Sequence, residues 1–266
     1  MGYGDEILAA GQAQRYFDAH GVPSIITDQQ GLPRQHPIWN DNPAVVQQIE
    51  PGQYHCIQNG PHCRPYIVYP FVAESGWTFN RDFHARDHVA RIYLTADERR
   101  GGTRLRERLG PFVLIEPWSK HANLRWPLDA WHVLVAARSD LTFVQHLHAG
   151  SGDCVVRGAE YIYTTTFRDA CGVLAAASLY VRGESGMCHA AAALGIPQVT
   201  IWGGCMDWDV LGRYPKQIGV GVTAPCCGQW LPCAHCATIM ARIAPRTVSD
   251  AIDLGLETRA ADHGVR

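Results

Sequence analysis

The chain has 266 residues, 47% of them hydrophobic and 18% charged, with a formal net charge of −2. That is enough apolar material for one large or two small folded domains, and it excludes a disordered chain. The charge balance does not mark a strongly basic nucleic-acid binder, although it leaves room for a local basic face. No apolar run approaches the ~20 residues that span a bilayer, and the Met-Gly-Tyr-Gly-Asp-Glu start is not a signal peptide. The expected compartment is the cytoplasm, where the ten cysteines are reduced thiols or metal ligands.

The chain opens on a glycine turn with no strand before it. Ile7, Leu8, Ala10 and the pair Tyr16 and Phe17 predict a helix over 5–19, and 23–27 reads as a strand. Residues 28–65, rich in Pro, Gly, Asn, Gln and His, read as loops with a short helix over 43–49. A second strand is expected over 66–71. From Trp77 to Arg108 aromatic and basic residues alternate, with Arg81 and Arg86 among them. Thr95-Ala-Asp-Glu98 is a capping box opening a charged helix that runs to Leu109. The 77–108 stretch is either a solvated helix with a packed loop or a face for an anionic acceptor. Gly110-Pro111 marks a domain boundary.

Beyond it, strands are expected over 112–116, 142–146 and 161–165, and helices over 127–138 and 167–177. Strands alternating with helices argue for α/β layers with parallel sheets. The strongest signal lies at 179–204. A short apolar strand (179–181) runs into a turn where Gly183 and Gly186 flank Glu184 and Ser185. An alanine-rich helix (187–194) follows, Gly195 stops it, and 198–202 is the next strand. The first turn of this βαβ unit ends at a helix N-terminus, where unpaired amides and the positive end of the dipole favour an anion. The turn therefore reads as a diphosphate cradle. A helix over 245–254 and a frayed tail over 256–266 complete the chain.

Gly-Glu-Ser-Gly-Met-Cys-His-Ala-Ala-Ala-Ala-Leu-Gly-Ile-Pro (183–197), then an apolar strand and Trp-Gly-Gly, resembles the donor-site signature of the heptosyltransferase family, glycosyltransferases of GT-B fold. Gly2-Tyr3-Gly4-Asp5 resembles that family's N-terminal Gly-Asp motif, 112–127 its strand and Lys-x-Trp-Pro segment, and 225–243 its C-terminal end. The resemblance covers most of 111–252 but only the first turn and helix of the N-terminal half. It implies an α/β, GT-B-like fold with two Rossmann-like domains facing a cleft. Residues 1–110 would form a reduced acceptor-side domain and 111–255 the nucleotide-sugar domain. In this fold a strand usually precedes the Gly-Asp motif, so the first strand is expected to be missing either from the fold or only from the sequence in hand.

Sugar transfer needs a base for the acceptor hydroxyl and positive potential for the departing diphosphate. Asp5, after glycines at a helix start, is the candidate base; it is equally suited to completing the helix start. Ser185, Gly186 and Met187 would offer amides, Glu184 would contact the donor sugar or orient the turn, His189 would lie beside the donor or be a packed core histidine, and Thr165 is a weaker contact. Lys120 and Arg125 follow the 112–116 strand, where strand ends meet, and are the cationic candidates; Leu124 stands where the family has its lysine. The donor would be a UDP-, ADP- or GDP-linked sugar. The resemblance implies inversion, and a site of this kind works without a catalytic metal. The acceptor would be a bacterial surface glycan or, with Arg81 and Arg86 in a polyanion face, a hydroxymethylated base in phage DNA.

Two further patterns stand beside this reading. Cys226-Cys227 followed by Cys233, His235 and Cys236 would hold a structural zinc, a disulfide or packed free thiols, with Cys227, Cys233, His235 and Cys236 as the ligand set. Gly183-Glu-Ser185-Gly-Met187 half-resembles the nucleophile elbow of serine hydrolases, with Asp207 or Asp209 and His235 as partners. A non-catalytic nucleotide-sugar binder is the remaining alternative.

Overall fold

A computed structural model describes residues 2–48, 51–69, 76–152, 154–221 and 226–264. The N-terminal half holds α1 (Tyr3–His20), β1 (Ser24–Thr27), β2 (Val45–Val46), β3 (His55–Gln58) and α2 (Ala96–Leu109). Its sheet is parallel, in the order β2-β1-β3. In place of the helix expected over 43–49, Val45 and Val46 form the short strand β2, with Ile49 outside the described residues, and β3 lies inside the stretch read as loop. Both strands are short, two and four residues, so periodicity had little to register. Of the strand expected over 66–71, Ile67 makes one isolated bridge with Phe79, while Pro70 and Phe71 lie outside the described residues.

The C-terminal half holds β4 (Val113–Glu116), α3 (Leu128–Ala137), β5 (Phe143–Leu147), β6 (Glu160–Tyr163), α4 (Phe167–Ala176), β7 (Leu179–Gly183), α5 (Gly186–Ala193), β8 (Gln198–Ile201), α6 (Trp208–Leu211), β9 (Gln217–Val220), α7 (Ala234–Arg242) and α8 (Pro245–Gly264). Its six strands are all parallel, in the order β6-β5-β4-β7-β8-β9. The chain winds outward from β4 in one direction, then returns to add β7 on the other side. The switch point between β4 and β7 opens a crevice at the C-terminal strand ends, where ligands bind in such sheets. β4, β7 and β8 are buried along their whole length, as strands covered on both faces must be. Helix α8 runs past the expected end at 254 and takes in residues 256–264 of the expected tail, while Val265 and Arg266 lie outside the described residues.

Helices α3 and α8 cover one face of the large sheet, with Trp131, Leu134, Val248 and Ile252 in that core. The other face is covered by α4 and α5, whose core is continuous with the N-terminal half: Ile7, Ala13 and Ile26 join Leu114, Val144 and Ala190. Small residues make the closest approaches. A β-carbon on Gly102 of α2 would lie 2.3 Å from the Gly172 carbonyl oxygen of α4. Helix α2 begins at the expected box, Thr95 Oγ1 accepting from Glu98 N and Glu98 Oε2 from Thr95 N.

Candidate active site

A cavity of about 660 Å³ lies at the switch point, between the start of α1, the ends of β4, β5 and β7, and the start of α5. Two helix N-termini form one of its walls. Ser185 is the N-cap of α5, its Oγ accepting from Met187 N at 3.2 Å. Gly4, in the first turn of α1, packs on Gly186 so tightly that a β-carbon on Gly186 would lie 2.9 Å from Gly4 N. The positive ends of both dipoles therefore meet at this wall.

Asp5 stands beside them, 9% exposed. Its Oδ2 accepts the Gly2 N–H at 2.9 Å, and its Oδ1 accepts the Tyr66 hydroxyl at 2.5 Å and lies 3.1 Å from Arg64 Nε. Burial first, then the Asp5 charge, push the Tyr66 phenol well above its ordinary value, so it remains a donor. Asp5 lines the cavity and also completes the start of α1, not as its N-cap, which is Gly2, but from the third helical position.

Glu184, Met187 and His189 reach the same cavity. His189 is buried, its Nδ1 sharing a 2.7 Å hydrogen bond with the Tyr214 hydroxyl and its Nε2 3.5 Å from Glu184 Oε1. Lys120 and Thr165 also line it. Arg125 does not: its Nε donates to the Ser119 carbonyl at 2.6 Å and its guanidinium lies 5.4 Å from the Trp118 ring centroid. The short backbone distance to Ser119 turns Arg125 into a brace for the loop that carries Lys120.

Arg81 and Arg86 also lie outside the cavity. Arg81 is 3.3 Å from Asp207 Oδ2, and Arg86 Nη1 approaches the Asp209 carbonyl at 3.5 Å. Phe79 and Phe83 are buried, so the 77–108 stretch presents neither ring as a stacking platform. The hydrolase triad is not assembled. Ser185 Oγ caps α5, Asp207 caps α6 through Asp209 N and Val210 N, and His235 sits among the cysteines.

The groups that the sequence reading missed are the polar ones inside the sheet. Glu116 ends β4 and Arg182 stands opposite it in β7, in register. Arg182 Nη1 donates to Glu116 Oε2 at 2.6 Å, and the Tyr180 hydroxyl donates to the same oxygen at 2.8 Å. His146 Nδ1 and His148 Nε2 lie 3.8 and 3.6 Å from Glu116 Oε1. Burial alone would raise the Glu116 carboxyl, but the Arg182 guanidinium and the two imidazoles outweigh it and hold the group well below the ordinary carboxylate range. The cavity floor thus carries a fixed ion pair. Its one signal in the sequence was an acid and a base, each closing an otherwise apolar run.

The two parallel sheets and the crevice between them give the chain a GT-B-like fold. No family model matches the sequence, and no curated protein does. Among solved structures, a family 9 glycosyl transferase from Veillonella parvula matches with TM-score 0.68 and 13% identity, over 97% of this chain and 95% of that one. TibC, an iron-containing dodecameric glycosyltransferase from enterotoxigenic E. coli, matches with TM-score 0.65 and 15% identity, over 97% of this chain and 74% of that one. E. coli ADP-heptose LPS heptosyltransferase II matches with TM-score 0.52 and 17% identity, over 66% of this chain and 57% of that one. At these identities the likeness is one of fold. No described helix is long and apolar enough to cross a membrane.

Proposed function

We propose that the chain is an inverting glycosyltransferase that moves a sugar from a nucleoside diphosphate to a saccharide hydroxyl, with residues 1–110 on the acceptor side and 111–255 on the donor side. The observation that carries this is the convergence of Asp5, Gly4 and Gly186 on one wall of a cavity at the switch point. The diphosphate lies against the start of α5, at the Ser185 and Gly186 amides beside the Met187 N–H that Ser185 Oγ already holds, with Lys120 next to it; Thr165 is a further donor contact, and Glu184 and His189 line the sugar. The acceptor oxygen attacks the anomeric carbon as the bond to the diphosphate oxygen breaks, and Asp5 takes the hydroxyl proton. The charge released on the diphosphate meets oriented amides and a lysine, which asks no catalytic metal of the site.

ADP-heptose is the first donor to try, because one structural neighbour is named for it. A saccharide acceptor fits better than a base in DNA, since Phe79 and Phe83 are buried and Arg81 and Arg86 face Asp207 and the Asp209 carbonyl. Thermal-shift measurements with UDP, ADP, GDP and their sugar conjugates test the donor site. At least one nucleotide should raise the melting temperature; if none does, the reading fails. Retention of hydroxymethylated duplex in a low-salt gel shift would restore the DNA acceptor.

A further inference from the structure

Behind the Trp77 side of the cavity, four side chains that the transfer reaction does not use bring their donor atoms together. The sulfurs of Cys227, Cys233 and Cys236 and a ring nitrogen of His235 all lie within 4.8 Å of one another. Cys227 and Cys236 Sγ are 3.2 Å apart, far beyond the ~2.04 Å of a disulfide. A tetrahedron with metal–sulfur bonds of ~2.3 Å has edges of ~3.8 Å, so the four atoms need only sub-ångström to ångström shifts to surround an ion.

Local structure delivers them. Cys233 is the N-cap of α7 and Cys236 lies buried in its first turn, so the two share one end of the helix. Cys227 comes from the other end of the 226–233 strap, where its N–H is held by the Gly204 carbonyl at 2.8 Å. His235 lies over Gly204, where a β-carbon would stand 2.7 Å from its Cε1.

The strap is also a junction. Trp77 N donates to the Gly228 carbonyl at 2.8 Å. Asn123 Nδ2 donates to the Gln229 and Leu231 carbonyls, each at 2.7 Å, and its Oδ1 accepts from Cys233 N at 2.9 Å. The Arg64 guanidinium, paired with Asp5, lies 5.7 Å from the Trp77 ring centroid.

We propose that Cys227, Cys233, His235 and Cys236 bind one tetrahedral, thiophilic divalent ion, zinc or ferrous iron, and that the ion fixes the strap and with it Trp77. The three thiols lose their protons to solvent on binding, and His235 ligates as the neutral imidazole. Three thiolates and an imidazole with no open position make a structural site rather than a catalytic one. Only the last link, from Trp77 through Arg64 to Asp5, rests on the transferase reading; metal binding stands or falls without it.

Elemental analysis of protein from medium containing both metals should give about one equivalent per chain, and it tells zinc from iron. Cobalt substitution should give sulfur-to-metal charge transfer and the visible bands of tetrahedral Co²⁺. Cys233→Ser and His235→Ala should lose most of the metal and melt at lower temperature. His235→Cys should keep the metal, and so should Cys226→Ser, whose sulfur faces Asp207 at 3.7 Å. If Cys233→Ser does not fold, the metal content and cobalt spectrum of the parent protein decide. Metal below about a tenth of an equivalent, with either a Cys227–Cys236 disulfide by mass spectrometry or freely alkylated thiols, would overturn the proposal. With Trp230, which lies in the strap itself and 5.9 Å from the Trp77 ring, replaced by Phe, chelation that removes the metal should change tryptophan emission, and it should not once Trp77→Phe is added; no change in Trp230→Phe would overturn the link to Trp77.

Discussion

Gly4 and Gly186 touch backbone to backbone, one from each half of the chain, and this contact brings two helix starts to one cavity wall. A β-carbon on Gly186 would stand 2.9 Å from Gly4 N, and backbone cannot swing aside as a flexible side chain can. Gly186→Ala should therefore cost about 1–3 kcal/mol of stability by overpacking. It should also abolish any nucleotide-induced thermal shift, because α5 can only relieve the clash by moving its N-terminus. Gly101→Ala is the control: nothing lies within 4 Å of its β-carbon, and in helix α2 it should stabilise by up to about 1 kcal/mol. Chemical denaturation reads both; equal losses would show that the close approach is not what matters.

Asp5→Asn keeps the shape of the side chain and removes its basicity. Sugar transfer should fall by about 10²–10⁴-fold, while the nucleotide thermal shift stays as in the parent. Tyr66→Phe removes one of the donors that orient the carboxylate and should give a smaller fall. Parental turnover in Asp5→Asn would leave the cavity without its base.

How much of this was legible depended on where the physical cause of each element lies. The 179–201 unit was readable because local chemistry makes it: Ser185 caps, alanines propagate, and Gly195 at φ +69° stops the helix. The capping box at Thr95 was readable for the same reason. Strands β2 and β3 were not, since they exist through parallel pairing with β1 rather than through their own pattern. Arg125 looked like a ligand because it follows a strand, yet a backbone carbonyl six residues earlier claims it. Arg64 joins the site through Asp5, and Glu116 meets Arg182 across two neighbouring strands; neither relation has a spacing in sequence.

Acid stability should carry the mark of Glu98. Its carboxylate accepts from Arg168 of α4, at 2.7 Å for Nη2, and Arg168 also reaches the Pro37 and Tyr93 carbonyls. The Arg168 hydrogen bond is the main cause that lowers the Glu98 group from 4.5 to about 2. A carboxyl lowered by folding contributes stability that is complete above its unfolded value. That contribution is lost as pH falls from about 4.5 toward 2. Glu98→Gln should be less stable at neutral pH and show a flatter decline over this window. Parallel melting-temperature profiles for the two proteins would remove Glu98 from the account.

The Glu116–Arg182 pair allows a sharper test, because both partners are buried and stand in register on adjacent strands. Removing one partner strands the other charge inside the sheet, which typically costs 3–5 kcal/mol. Arg182→Met alone should therefore melt far below the parent. Glu116→Gln with Arg182→Met removes both charges and should recover much of that loss, since a buried pair replaced as a unit is often close to neutral. The recovery would be incomplete, because the Tyr180 hydroxyl, His146 and His148 all converge on the carboxylate and only some of them can pair with an amide. Strictly additive losses in the double variant would mean that the two groups do not act as a pair. The nucleotide thermal shift of the double variant adds a second reading: if the pair only holds the cavity floor in shape, the shift persists once stability is restored, and if Arg182 itself faces the donor, it does not.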